Sequence, residues 1–345
     1  MHAHCDVLVV GSGAAGLAAA RVAGAAGARV IVCEQDFLLG GGLLAERRYE
    51  LWREQSVAAL AAIPEVTVLP RTTVFGYYDN NVLGAVERVA DHVAEPPPHT
   101  PRQRYWTIRA GMVVLATGAH ERFIAFPGND RPGVMLAGAA RTYATRYGVR
   151  SGRRALLFTN NDCAFDSLFA LQEAGLEIAG VVDARADSAG AAAARERGIT
   201  VWAGCAVTGT VGRFGVRFVR VRDDRGAETA VAADLLCVSG GINPAVHLAS
   251  QSGTPLAWDD RLATFLPGPP VQAQYSAGAA AGVTGIPAAA ADGARAGAEA
   301  AGATGFAAAA VALDLPDGET ADASVQPVWE VKGRGKAFVD IQDDV

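Results

Sequence analysis

The run Gly11-Ser12-Gly13-Ala14-Ala15-Gly16 constrains this chain more than any other feature. It follows an apolar stretch, DVLVV at 6–10, and opens a helix of small residues. In a strand–turn–helix setting the first glycine permits the tight turn and the second lets a pyrophosphate reach the backbone. The third lets the helix close on the sheet. A second apolar segment, ARVIVCEQD, completes a βαβ unit, and Glu34 ends its strand 18 residues after Gly16, with Gln35 beside it. A carboxylate there takes both ribose hydroxyls of an adenosine. A glycine-rich turn without a ligand fits poorly with strand, helix and acid all in place.

Glu34 also discriminates between cofactors. It would repel a 2′-phosphate, and no arginine follows it immediately, so NAD or FAD is expected over NADP. Gly40, Gly41 and Gly42 follow where a loop would pass over the phosphates, although a plain flexible turn explains Gly40 equally well. Val74, ending the strand RTTV, falls where such folds lay backbone against the adenine edge. The segment from Leu44 to Ile63 reads as one helix, and the next strands as a β-meander interrupted by the loop EPPPHTPRQ.

Composition narrows the chemistry. With 345 residues, half of them hydrophobic, the chain can bury real cores in two domains or one large split one. A formal charge of −6 without a basic block speaks against a nucleic-acid partner. Of 30 basic residues only Lys332 and Lys336 are lysines, so the body of the chain offers none for a Schiff base or a P-loop. Cys5, Cys33, Cys163, Cys205 and Cys237 are scattered, with no CxxC pair, and read as small buried residues. The six histidines form no HExxH motif, so no metal site is expected. No apolar run reaches membrane-spanning length and no signal sequence is legible, which reads as a soluble, cytoplasmic protein.

A second βαβ unit, RALLFTNNDCAFDSLFALQEAGLEIAGVVDAR, carries Thr159-Asn160-Asn161-Asp162-Cys163-Ala164-Phe165 where a glycine fingerprint would sit. Side chains there fill the space of a pyrophosphate, and Asp162 adds a like charge. Asp183 then reads as a relic of a ribose-binding acid or a surface turn residue. His120 and Glu121 read as a solvated loop pair, His247 as a capping or packing residue, and no catalytic residue is assigned. The tract YSAGAAAGVTGIPAAAADGARAGAEAAG is expected to be a strand-end turn and a close-packed helix. The domains expected are 1–124 plus 243–305, a degenerate second domain at 125–242, and a linker with the start of a further region at 306–345.

GSGAAG, Glu34, Gly40–Gly42, the ATG at 116–118 and SAGAAAG resemble the flavoprotein fold of the glutathione reductase type. That fold is α/β, with two Rossmann-like three-layer domains, the first discontinuous. More closely, TTVFGYYDNN, VVLATGAHER, FPGNDRPGVM, TNNDCAF, VSGGINPAVHL and GKAFVDIQDDV are similar to the alpha subunit of heterotetrameric sarcosine oxidase, over nearly the whole chain. The resemblance implies that this portion holds NAD, with Thr117, Gly118, Gly278 and Ala279 joining the fingerprint residues at the cofactor. It also implies FAD in a beta subunit, FMN between alpha and beta, gamma and delta subunits, and tetrahydrofolate on a C-terminal region outside this sequence. The reaction implied is oxidative demethylation of sarcosine with oxygen as acceptor, and the isolated chain is expected to be inactive. Flavoproteins of this type carry a Gly-Asp pair in the late motif. Gly278-Ala279 stands in its place, which favours NAD over FAD. The alternatives are a self-sufficient FAD-dependent NAD(P)H oxidoreductase, or a subunit of an opine oxidase or a cyanide-forming glycine dehydrogenase.

Overall fold

The computed structural model describes residues 1–307, 311–316, 318 and 324–339. The chain forms two compact units. The first comprises 1–119, 244–259 and 265–320, and the second 120–243, 260–264 and 321–345.

The first unit is built on β1 (His2–Val10), α1 (Ala14–Ala25), β2 (Val30–Cys33), α2 (Glu50–Ala61), β3 (Val66–Leu69), β4 (Thr72–Tyr78), β5 (Val82–Arg88) and β6 (Gln103–Leu115). The sheet runs β3-β2-β1-β6-β5-β4, and a late strand, Gln274–Ser276, also pairs with β6. Pairing is parallel through β3, β2, β1, β6 and the late strand, and antiparallel through β6, β5 and β4. The two regimes meet within β6. Its first half alternates between exposed and buried positions, as one face of a meander does, and Met112–Leu115 are buried throughout, as central parallel strands are.

β1 starts at His2, earlier than the apolar run DVLVV announces, because His2–Cys5 pair through their backbone with Thr107–Ala110. The helix expected over 44–63 begins only at Glu50. Two 3-10 turns, Gly41–Ala45 and Arg47–Tyr49, precede it and turn Leu43, Ala45 and Tyr49 inward. One helical face could not bury all three.

The Ala/Gly tract is close-packed as expected. A Cβ at Gly293 would lie 2.1 Å from the Ala15 carbonyl oxygen, and one at Gly297 would lie 2.4 Å from that of Ala19. The late helix Ile286–Ala303 therefore touches α1 backbone to backbone, an approach only glycine permits.

The second unit has a parallel sheet ordered Val201–Ala203, Glu177–Asp183, Arg154–Thr159, Leu235–Ser239, Val134–Leu136. Helices α3 (Ala137–Arg146) and α4 (Cys163–Glu173) pack on it, and a three-stranded antiparallel sheet spans Ala206–Ala232. Within 306–345, several described residues pack or hydrogen-bond. Val325 and Val331 are buried in the second unit, Val331 beside Phe126 and Phe158, while Ala312 and Leu313 accept hydrogen bonds from Arg21 and Trp52 in the first.

Candidate functional site

The fingerprint residues divide by task. Gly11 has φ +95, and a Cβ there would lie 2.3 Å from the Ala116 carbonyl oxygen; a Cβ at Gly16 would lie 1.9 Å from that of Gly11. Both glycines are dictated by the packing of the turn. Gly13 is not, because a Cβ there meets nothing within 4 Å. Gly13 caps α1, whose first turn has neither a side-chain cap nor an acidic residue. The amides of a helix start thus face open space, the arrangement that receives a phosphate. Ala14 is buried, and Ala15 lies against the late motif, where a Cβ on Gly278 would approach its methyl to 2.7 Å. Gly41 (φ +51) and Gly42 are exposed, and Gly41 runs alongside Gly13, its absent Cβ falling 3.2 Å from the Gly13 Cα.

Glu34 ends β2 with only 5% of its surface exposed. Its Oε2 accepts from the Ser12 amide at 2.9 Å and the Ser12 hydroxyl at 2.5 Å, and its Oε1 accepts from the Asp36 amide at 2.8 Å. Ser12 Oγ also accepts from the Gly40 amide at 3.1 Å, joining the fingerprint, the acid and the glycine loop in one network. Sequence reasoning misses Ser12, although GSG rather than GAG is the available signal. Gln35 is exposed, and its carbonyl accepts from Arg88. Val74 does not end its strand. It lies inside β4, opposite Ala85, because a bulge between Val74 and Gly76 lets the strand continue to Tyr78.

Thr117 and Gly118 form the turn after β6. Thr117 Oγ1 donates to the Ala245 carbonyl at 2.8 Å, and Gly118 has φ +74. Gly278, φ +65, follows the late strand, with Ala279 next to it. A carboxylate does reach this motif, from Asp292 on the late helix. It accepts the Gly278 amide at 2.8 Å and pairs with Arg295 at 2.7 Å. Both its oxygens are engaged within the chain.

In the second unit Asn160 and Asn161 are buried. Asn161 donates to Thr159 Oγ1 and to Ser239, and its Oδ1 accepts the Ala164 amide of α4 at 3.2 Å, one of the donors a phosphate would use. Asn160 and Gln326 exchange hydrogen bonds of 2.9 and 3.2 Å. Asp183 is fully buried, contrary to a surface turn residue. Arg185 binds both its oxygens and reaches Asp162 at 2.7 Å, so the two carboxylates share one guanidinium. Glu121 is likewise no solvated residue. It accepts the Gly138 amide at 2.7 Å, and burial pushes its carboxyl above the usual range. His120 and His247 are exposed.

Four of the five cysteines are buried, and burial pushes the Cys5 and Cys33 thiols up to about 12, which keeps them protonated and inert. Among the described residues no group of side chains could hold a metal, and no helix is long and apolar enough to cross a membrane.

A family model described as pyridine nucleotide-disulphide oxidoreductase matches residues 5–159. The chain is 41% identical to a sarcosine oxidase alpha subunit of Rhizobium meliloti (strain 1021), over 99% of its own length and 35% of the relative. It is 42% identical to that of Corynebacterium sp. (strain P-1), over 100% and 38%. It thus spans about a third of these curated relatives. An opine oxidase subunit of Agrobacterium tumefaciens (strain Ach5) is 27% identical, over 97% of this chain and 72% of that protein. Among solved structures, L-proline dehydrogenase from P. horikoshii superposes with a TM-score of 0.68 at 21% identity, covering 89% of this chain and 57% of that one. Thioredoxin reductase from T. acidophilum gives 0.64 at 18%, covering 87% and 98%. These place the fold as α/β, with two Rossmann-like domains of the glutathione reductase type.

Proposed function

We propose that the chain, similar in sequence to sarcosine oxidase alpha subunits and in fold to pyridine nucleotide-disulphide oxidoreductases, is the NAD-holding part of an amine-oxidising complex. Identity of 41–42% over the full chain carries the choice of complex. The buried Glu34 beside the open Gly13 supports a dinucleotide with an adenosine half. In this reading Glu34 binds the adenosine ribose, Gly13 and the α1 amides bind the pyrophosphate, and Gly41 and Gly42 line it. Thr117, Gly118, Gly278 and Ala279 border the cofactor's far half. The absence of a carboxylate at 279 supports NAD over FAD.

NAD supplies hydride exchange when bound. The residues of this chain bind and orient it. The second unit does not bind a dinucleotide, since Asn161 and Asp162 occupy the start of α4. Flavin chemistry on a secondary amine, with FAD and FMN, belongs to a beta subunit or its interface with this one, and tetrahydrofolate to a region beyond this sequence. The test is oxygen uptake with sarcosine. The isolated chain should give none, and the full-length subunit with its partners should turn over. Turnover by the isolated chain would instead establish a self-sufficient flavoenzyme. An opine-oxidising complex is the second reading, favoured by the 72% of the opine oxidase relative that this chain spans. Substituting opines for sarcosine in the same assay separates the two.

A further inference from the structure

At the ribose end of the cradle, an arginine holds a backbone conformation that side chains rarely adopt. Arg71, between β3 and β4, has φ +54. Its amide donates to the Asp36 carbonyl at 2.9 Å, and its own carbonyl accepts the Arg88 amide at 2.9 Å. The Arg88 guanidinium closes the other side by donating to the Gln35 carbonyl. Thr72 donates to the Glu34 carbonyl at 2.7 Å, so this turn is stitched directly to the ribose acid. Glycine would hold the same backbone with less strain, and the side chain is therefore carried at a conformational cost. The Arg71 guanidinium carbon lies 5.1 Å from the centroid of the Phe37 ring, within cation–π range, and Phe37 is 49% exposed.

We propose that Arg71, laid over Phe37, is the wall on which the base of the bound nucleotide stacks, and that it sets a preference for adenine. The inference rests on the reading of Glu34 as the ribose ligand. Two placements and one chemical property converge on it. Phe37 follows Glu34 by three residues, and Asp36 between them links the two, its amide donating to Glu34 Oε1 and its carbonyl accepting from the Arg71 amide. Arg71 and Val74 belong to one short segment, which would present a stacking face and a backbone edge to the same base. A guanidinium plane offers both donors and a flat cationic surface to a π-face, and a purine overlaps it more than a pyrimidine does.

The test is titration of protein freed of bound nucleotide with ADP, UDP and inorganic pyrophosphate, for the unmodified chain, Arg71→Gly and Phe37→Leu. Arg71→Gly relieves the positive φ, so its unfolding temperature without ligand should stay level or rise. Its ADP affinity should fall about tenfold, the usual size of one lost stacking partner, and its preference for ADP over UDP should shrink. Pyrophosphate, which has no base, should bind both forms equally. Phe37→Leu should weaken ADP in the same direction. Unchanged ADP affinity in Arg71→Gly, or an equal loss for pyrophosphate, overturns the assignment and leaves the cradle intact. Failure of the unmodified chain to bind ADP at all overturns the cradle and, with it, this wall.

Discussion

The Ser12 hydroxyl donates to Glu34 Oε2 at 2.5 Å while accepting the Gly40 amide at 3.1 Å. One serine thereby fixes the ribose acid, closing β2, to the fingerprint turn, closing β1, and pins the glycine loop above both. Ser12→Ala should cost about 1 kcal/mol of stability and weaken ADP several-fold, since the Ser12 and Asp36 amides still hold Glu34. Calorimetric unfolding and ADP titration read the two effects. Unaltered ADP affinity would contradict the ordering role of Ser12.

Glu34→Ala removes the ribose ligand itself. A charge-assisted hydrogen bond is worth about 1.5–3 kcal/mol, so nucleotide content after purification should fall by an order of magnitude or more. Undiminished nucleotide in the variant would count against Glu34 as the ribose contact.

The fingerprint glycines should separate into two phenotypes. Gly13→Val meets open space and should fold, yet its side chain takes the pyrophosphate's approach and should abolish binding. Gly16→Ala forces a methyl to within 1.9 Å of a carbonyl and should destabilise the protein by about 1–3 kcal/mol or more. Asn161→Val leaves buried polar groups unpartnered, costing about 1–3 kcal/mol, with nucleotide content unchanged. Loss of nucleotide in Asn161→Val would mean the second unit is a live site.

Much of the cradle is legible in the sequence because its signals are local. Gly11, Gly13, Gly16 and Glu34 report themselves through short spacings between a strand and a helix. What escapes depends on chain crossings that no local pattern carries. Arg71 and Arg88 reach the ribose end from the β3–β4 turn and from β5, although no arginine follows Glu34 immediately in sequence. Asp292 reaches Gly278 from a helix whose composition announces only close packing. Asp183 and Glu121 read as exposed because polar residues at strand ends usually are; Arg185 accompanies the buried Asp183, and the Gly138 amide holds the half-buried Glu121.

Glu121 gives a pH-dependent prediction. Burial raises its pKa in the folded state, so the protonated form is favoured there. The stability this contributes is complete below the ordinary glutamate range and is lost as pH rises through the folded pKa. Glu121→Gln keeps an acceptor for the Gly138 amide without the charge. It should therefore raise the unfolding temperature at pH 8 more than at pH 4.5. An equal shift at both pH values, or a lower midpoint at pH 8, would show that the hydrogen bonds to the carboxylate outweigh its desolvation.

The most direct measurement is denaturing release of ligand from the purified chain, followed by mass spectrometry of what is released. The expected release is NAD, close to one per chain and lost in Glu34→Ala, with no FAD. Release of FAD, or of no nucleotide at all, would contradict the assignment of this cradle to NAD.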